Sequence, residues 1–175
     1  MTPSKAAIAC ALAGSAVFLA GCSFDVSFGS GPDTSEVEAK LVEEQKKVSP
    51  DLDVGEATCP EEVEVEEGAK FECTVDIEGV DAPYAVTLTD VNEDEETVNF
   101  HSEPVKPIID VSLVVEFLRG NLNEQSQDAE VDCGDEAVLV TEVGATIECT
   151  VSDETDSETV SLVVKNLEGD VGFQQ

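Results

Sequence analysis

The chain has 175 residues, of which 40 are Asp or Glu and 8 are Lys or Arg, so the formal net charge is −32. This excess argues against nucleic acid as a partner, because binding to phosphates needs a cationic surface. It also argues against docking of the protein surface on anionic lipid headgroups.

The N-terminus reads as a targeting segment. Lys5 supplies a positive charge, and residues 6–20 are small and apolar. That run is too short to cross a bilayer, which needs about 20 apolar residues. It ends in Leu19-Ala20-Gly21-Cys22, which predicts a lipoprotein signal peptide over 1–21 and lipid attachment at Cys22. The alternative is an ordinary signal peptide cleaved nearby, which would leave Cys22 as a free or cross-linking thiol.

A lipid on Cys22 would hold the exported protein at the outer face of the cell membrane. A diacylglyceryl or palmitoyl group can attach through this cysteine, and two or more acyl chains anchor a protein stably. Residues 22–35 are rich in Ser, Gly and Asp and contain Pro32, which predicts a flexible tether. Phe24, Val26 and Phe28 are apolar exceptions in this segment and fit contact with the membrane surface or the first domain.

The rest of the chain contains an internal repeat. The octapeptide that begins at Gly68 recurs at Gly144, and Cys59 corresponds to Cys133 in front of it. Downstream, residues 86–88 match 160–162, and Phe100 matches Phe173. These ordered matches predict two tandem modules, 36–102 and 110–175, joined by a Pro-containing linker over 103–109.

Each module begins with a helical pattern. Ser35 and Glu38 predict a capping box, with Val37, Leu41 and Val48 on one side of a helix that Pro50 ends. In the second module Asp110 is the predicted N-cap. The apolar stripe that follows it consists of Val111, Val114, Val115, Leu118 and Leu122.

Strands follow in both modules. Phe71, Cys73, Val75 and Ile77 alternate with polar residues, which is the period of a half-buried strand. Residues 84–88 and 97–102 continue the sheet as a hairpin, and 160–164 and 170–173 repeat it. The fold class predicted is α+β: two small tandem modules, each one helix packed on a short antiparallel sheet with one disulfide inside the module.

The cysteines fit an exported protein. Of the six, Cys10 lies in the signal segment and Cys22 takes the lipid, so four remain. Four cysteines allow three pairings. Duplication selects the one that keeps each bridge within a module, which predicts disulfides between Cys59 and Cys73 and between Cys133 and Cys149. Gly68 and Gly144 are predicted to turn the chain before the second cysteine of each pair.

Cys59-Pro60, Gly68, Phe71 and Cys73 together resemble a domain-of-unknown-function family of actinobacterial envelope lipoproteins. The second module matches less closely, with Gly134 in the place of the proline. The resemblance covers nearly all of the mature chain. It implies a fold and an envelope location, and it implies no activity.

Metal and catalytic signals are weak. The segment that begins at Asp90 starts like a calcium loop, but Glu95 stands where glycine is required and His101 where the bidentate glutamate should be. A hairpin turn explains it better. His101 is the single His and lies at a module boundary, which is typical of a surface residue. We therefore predict no catalytic residue, no metal ligand and no cofactor.

The sequence favours a non-enzymatic, lipid-anchored envelope protein with a binding or structural role. Its partners are then the membrane, through the N-terminal lipid, and a cationic protein or envelope component. The alternative is a low-affinity divalent-cation-binding surface protein, and a hydrolase is a distant third. The sequence carries no signal for an oligomeric state.

Overall fold

A computed structural model describes residues 22–27, 34–92, 97–122, 129–154 and 156–174. The predicted signal peptide, 1–21, lies outside these ranges. So do 28–33 of the predicted tether and 93–96 of the calcium-like segment.

A five-stranded antiparallel sheet and one helix dominate the N-terminal half. In this first sheet the strands are ordered β1-β5-β4-β3-β2. The elements are β1 (Cys22–Ser27), α1 (Ser35–Val48), β2 (Val54–Thr58), β3 (Lys70–Ile77), β4 (Val80–Asn92) and β5 (Thr97–Pro104).

The C-terminal half has a second helix and a smaller antiparallel sheet. In this second sheet the order is β11-β10-β9-β7, and β6 and β8 form a separate two-stranded sheet. The elements are β6 (Ile108–Asp110), α2 (Val111–Asn121), β7 (Glu130–Asp132), β8 (Val138–Val140), β9 (Thr146–Ser152), β10 (Ser157–Val164) and β11 (Val171–Phe173).

The predicted mixture of helix and antiparallel sheet is confirmed, but the simple module of one helix on one sheet is only partly so. Each half does contain one helix, with α1 directly before β2 and α2 directly before β7. The described residues also contain the β6–β8 sheet, which the prediction lacks. The first sheet includes β1, which begins at Cys22 within the segment predicted as a tether.

Helix α1 buries two of the three apolar residues predicted for its inner face. Val37, Leu41 and Gln45 are buried, whereas Val48 is 76% exposed. The buried positions recur every four residues and therefore form one stripe along the helix. Val48 was wrongly assigned to that stripe, and the polar Gln45 takes its place.

The predicted capping box at the start of α1 is wrong. Thr34 is the N-cap residue, so Ser35 already lies within the helix. The Glu38 carboxylate accepts a hydrogen bond from the backbone N–H of Cys59 at 2.8 Å, and the Thr34 hydroxyl donates to the carbonyl of Pro60 at 3.2 Å. The first turn of α1 is therefore fixed to the chain around Cys59.

Helix α2 follows its prediction. The Asp110 carboxylate accepts from the backbone N–H of Ser112 at 2.8 Å, as expected of an N-cap aspartate. Val111, Val114 and Leu118 are buried.

The strand alternation is also confirmed. Cys73, Val75 and Ile77 are at most 1% exposed, and Ile147 and Cys149 are buried in the second sheet. The buried residues form two clusters. The first core contains Phe100 and Leu88 of the first sheet, and the second core contains Leu118 of α2 and Leu162 of the second sheet.

The predicted correspondence between the two hairpins is wrong by two residues. Cys73 stands opposite Tyr84, and Cys149 stands opposite Val160. Val160 therefore corresponds to Tyr84 and not to Val86. Because side chains in a strand alternate with period two, a shift of two residues keeps every side chain on the same face, and the hydrophobic pattern does not reveal it.

The segment predicted as a linker, 103–109, is built into sheets at both ends. Strand β5 continues to Pro104, and β6 pairs with β8 from the C-terminal half. Val138 of β8 is 2% exposed and belongs to the first core, whereas Ile109 of β6 belongs to the second. The β6–β8 sheet therefore contributes a residue to each core.

Val138→Ala is expected to destabilise the first core although Val138 lies in the C-terminal half. Loss of two buried methyl groups should lower the free energy of unfolding by roughly 2 kcal/mol. The near-ultraviolet circular dichroism of Tyr84, the single Tyr, reports unfolding of the N-terminal half. The control is Val143→Ala, because Val143 is 51% exposed and should change stability little. An unchanged Tyr84 transition in Val138→Ala would show that the first core does not depend on β8.

Candidate functional site

The predicted lipid attachment residue lies at an edge of the first sheet. Cys22 is the first residue of β1 and stands opposite Ser102 near the end of β5. Two residues beyond Ser102, β5 ends at Pro104 and the chain enters the β6–β8 sheet. A group attached at Cys22 would therefore leave the fold close to the point where the two halves meet.

The two predicted disulfides are present. Cys59, just after β2, bonds to Cys73 in the middle of β3, with an S–S distance of 2.06 Å. Cys133, just after β7, bonds to Cys149 in β9 at 2.07 Å. The first disulfide closes a loop in the unfolded chain. For a loop of this size, the loss of chain entropy in the unfolded state corresponds to about 3 kcal/mol of stabilisation. Each bridge fastens a buried strand to the segment beside it.

A glycine turn precedes each bridged strand. Gly68 and Gly144 have φ values of 85° and 89°, in the left-handed region that favours glycine. Their N–H groups donate to the carbonyls of Leu88 and Val164, both at 2.7 Å. Leu88 and Val164 in turn donate to the residue after each glycine, at 2.9 Å in both halves. The turns predicted from the repeat are confirmed.

Sequence reasoning missed a polar contact between α1 and the first sheet. The Tyr84 hydroxyl donates a hydrogen bond to Oε1 of Gln45, and the Gln45 amide donates to the Ser49 hydroxyl at 3.0 Å. Burial raises the pKa of Tyr84 to about 12. The sequence does contain a signal for this contact. Gln45 lies four residues after Leu41 and therefore continues the apolar stripe of α1 with a polar side chain.

The acidic residues are predominantly at the surface. Along α1, Lys40 and Lys47 contact Glu43 at 2.8 and 3.0 Å, and hydrogen bonds from these two lysines lower the pKa of Glu43 to about 2. These pairs are exposed to solvent, so their contribution to stability is small. The acidic side chains of the two sheets likewise form a surface that water solvates well.

No metal site is formed within the described ranges, where no group of three or more His, Cys, Asp or Glu side chains could hold an ion. Asp90 and Asn92 of the calcium-like segment lie in β4, and its continuation, 93–96, is outside the described residues. His101 lies in β5 opposite Thr87 and is partly buried.

Buried polar side chains are fully satisfied in the described part of the chain: no buried nitrogen or oxygen atom lacks a hydrogen-bond partner. None of the helices there has the length and hydrophobicity to span a bilayer.

A model of the family described as "Domain of unknown function (DUF4333)" matches residues 17–93. The match includes the disulfide between Cys59 and Cys73 and the glycine turn at Gly68. The C-terminal half lies outside the matched residues. No curated protein matches the chain, and no solved structure does.

The Tyr84 phenol is expected to titrate with a midpoint near pH 12 in the folded protein. Because this pKa is raised above that of the unfolded chain, about 10, folding stability should fall as the pH rises from about 10 to about 12. Absorbance of the phenolate measures this directly, since the chain has one Tyr and no Trp. The control is the urea-unfolded protein. A midpoint near 10 in both samples would contradict burial of the hydroxyl.

Calcium is expected to add little stability once monovalent salt screens the surface charge. A specific site with a Kd near 10 μM would add about 2.7 kcal/mol at 1 mM calcium, because ligand binding to the folded state stabilises it. Thermal unfolding in 1 M NaCl with and without 1 mM calcium tests this, with magnesium as the matched control. A calcium-specific rise of that size would indicate a cation-binding function instead.

Proposed function

We propose that the chain is a non-enzymatic lipoprotein of the cell envelope, anchored through Cys22 at the outer face of the cell membrane. This proposal rests on the different roles of Cys22 and the four cysteines that follow it. The four downstream cysteines form two disulfides, and stable disulfides are typical of exported proteins. Cys22 is not part of either bridge, and it follows Leu19-Ala20-Gly21 in the order expected at a lipoprotein cleavage site.

The anchor in this proposal is a diacylglyceryl group on the Cys22 thiol. Two acyl chains bind a bilayer stably, whereas one binds only marginally. The surface itself is a poor membrane ligand, because seven Lys and Arg residues follow Cys22 against 40 Asp and Glu. The lipid would therefore supply the membrane attachment alone.

We also propose that the two halves are tandem copies of one module of an actinobacterial envelope lipoprotein family. The strongest support is the repeated hydrogen-bond pattern around Gly68 and Gly144, which recurs with a constant spacing of residues. The disulfides support it as well, because each joins a segment outside its sheet to the strand that follows the glycine turn.

The role of the modules in this proposal is binding or structural. His101 is the single His, and the sequence predicts no catalytic residue. The acidic surface is suited to a cationic protein or another cationic envelope component. Phosphate-bearing nucleic acid would be repelled.

A Cys22→Ala variant is expected to leave the membrane and appear in the medium in folded form. The reason is that it keeps both disulfides and has no thiol at position 22 to carry the lipid. Cell fractionation and metabolic labelling with an alkyne fatty acid measure location and acylation. The control is Cys10→Ala, which changes a cysteine within the predicted signal segment and should be labelled and membrane-bound as in the wild type. Membrane retention of unlabelled Cys22→Ala from which the signal segment has been removed would contradict the anchor.

A further inference from the structure

Strand β11 leaves one edge of the second sheet open. It pairs with β10 on one side, through Leu162–Val164. On its other side no strand of the described residues pairs with it, because β11 is the terminal strand in the order β11-β10-β9-β7. The corresponding terminal position in the first sheet is different: there β5 is covered by β1.

The hydrogen bonds to β10 show which groups of β11 point outward. Lys165 donates its backbone N–H to Asp170 at 2.8 Å, and Gln174 donates to Ser161 at 3.1 Å. Residues in an antiparallel strand alternate between bonding to one neighbour and pointing away from it. Val171 and Phe173 therefore direct their N–H and C=O groups to the open edge.

The side chains at this edge are apolar on the face toward α2. The Phe173 ring is 5.5 Å from the ring of Phe117, measured between centroids, and Phe173 is still 47% exposed. Leu113 lies one turn before Phe117 on α2 and is 60% exposed. Val171 packs against the second core and is half-buried. A strand added at the edge could place apolar side chains on this face.

The opposite face of the same edge carries a positive charge. A Cβ atom on Gly172 would overlap Nζ and Cε of Lys165, so the ammonium group lies directly over Gly172. Lys165 forms no ion pair with another residue of the described part of the chain. In an added antiparallel strand, the residue opposite Gly172 would share its face. An acidic side chain at that position would meet the ammonium group.

The first sheet contains a strand with this order of residues in a different register, since Gly172 corresponds to His101, which stands opposite Ser23. Strand β1 has the order apolar, acidic, apolar at its centre and pairs antiparallel with β5. The partners are Phe24 with Phe100, Asp25 with Asn99, and Val26 with Val98.

We propose that the open edge of β11 binds an extended segment of a partner protein as an additional antiparallel strand. The segment carries an acidic residue opposite Gly172, flanked by apolar residues opposite Val171 and Phe173. Main-chain hydrogen bonds to those two residues supply affinity, and Lys165 supplies the preference for acid. A second copy of this chain fits less well, because two molecules with a formal charge of −32 repel each other.

The probe is a labelled, N-acetylated peptide with the sequence of residues 23–27, Ser-Phe-Asp-Val-Ser. Fluorescence anisotropy measures its binding to the detergent-solubilised full chain. Replacement of its Asp by the neutral Asn removes the contact without adding a positive charge that the acidic chain would attract, and is expected to weaken binding about tenfold, the usual cost of losing a contact to a charged group. Equal affinity for the two peptides would overturn the proposal.

Variants of the protein locate the peptide. Val171→Pro removes an outward N–H and should abolish binding, whereas Val171→Ala keeps that N–H and should retain it. Lys165→Glu changes an exposed side chain and should weaken binding about tenfold, less so in 1 M NaCl. If folded Val171→Pro binds the peptide as tightly as the wild type does, the assignment of the peptide to β11 is overturned. A peptide that replaces β1 on β5 would give this result. If Val171→Pro fails to fold, Lys165→Glu provides the test, because an unchanged affinity of Lys165→Glu for the peptide would contradict the proposal.

Sedimentation at increasing protein concentration tests whether a second copy of this chain occupies the edge of β11. The full chain is expected to show no dimer that depends on β11. A dimer that forms in the wild type and is lost in Val171→Pro would assign the edge to a second copy of this chain and overturn binding of a partner segment.

Discussion

Charge repulsion is the constraint that the fold must withstand. With 40 acidic and 8 basic residues, the compact chain repels itself, and salt only partly screens that repulsion. Each disulfide opposes this repulsion at the equivalent place in its half, where it joins a buried strand to the segment beside it. The bridged residues Cys73 in β3 and Cys149 in β9 are both 1% exposed. A covalent link limits the expansion of the unfolded chain whatever its charge. In addition, Glu38 accepts a hydrogen bond from Cys59, so one acidic residue stabilises the bridged segment.

The same constraint explains why the halves are fastened to each other. Small acidic units bury little apolar surface, and small domains are only marginally stable. Val138 enters the first core from the C-terminal half, and Ile109 enters the second core from the strand that follows Pro107. The pairing of β6 with β8 sets both residues in position. Each half therefore gains buried surface from the β6–β8 sheet, which contributes a residue to each core.

The sequence predicted features that depend on local pattern or on the repeat. The strand alternation around Cys73, the N-cap at Asp110 and the choice of one disulfide pairing among three belong to this group. Features that depend on tertiary contacts were not predictable. Glu38 forms its hydrogen bond with Cys59, 21 residues away, and Gln45 with Tyr84, 39 residues away. The two-residue error between Val86 and Val160 arose because a shift of two leaves the hydrophobic alternation unchanged. Pro104 and Pro107 resemble a linker, and only the pairing of β6 reveals the sheet there.

The two halves share their interior and differ at their edges, and this difference bears on function. Both have a glycine turn, a bridged interior strand and a hairpin. In the first sheet the outer edge of β5 is occupied by β1, which begins at Cys22, so this edge serves the proposed anchor. In the second sheet no strand of the described residues pairs with the outer edge of β11, and Lys165 lies over Gly172 of that strand. One of the few basic residues in a strongly acidic chain thus stands where backbone groups are available for pairing. If duplication produced the two halves, one edge would serve the proposed anchor and the other the proposed acidic strand of a partner.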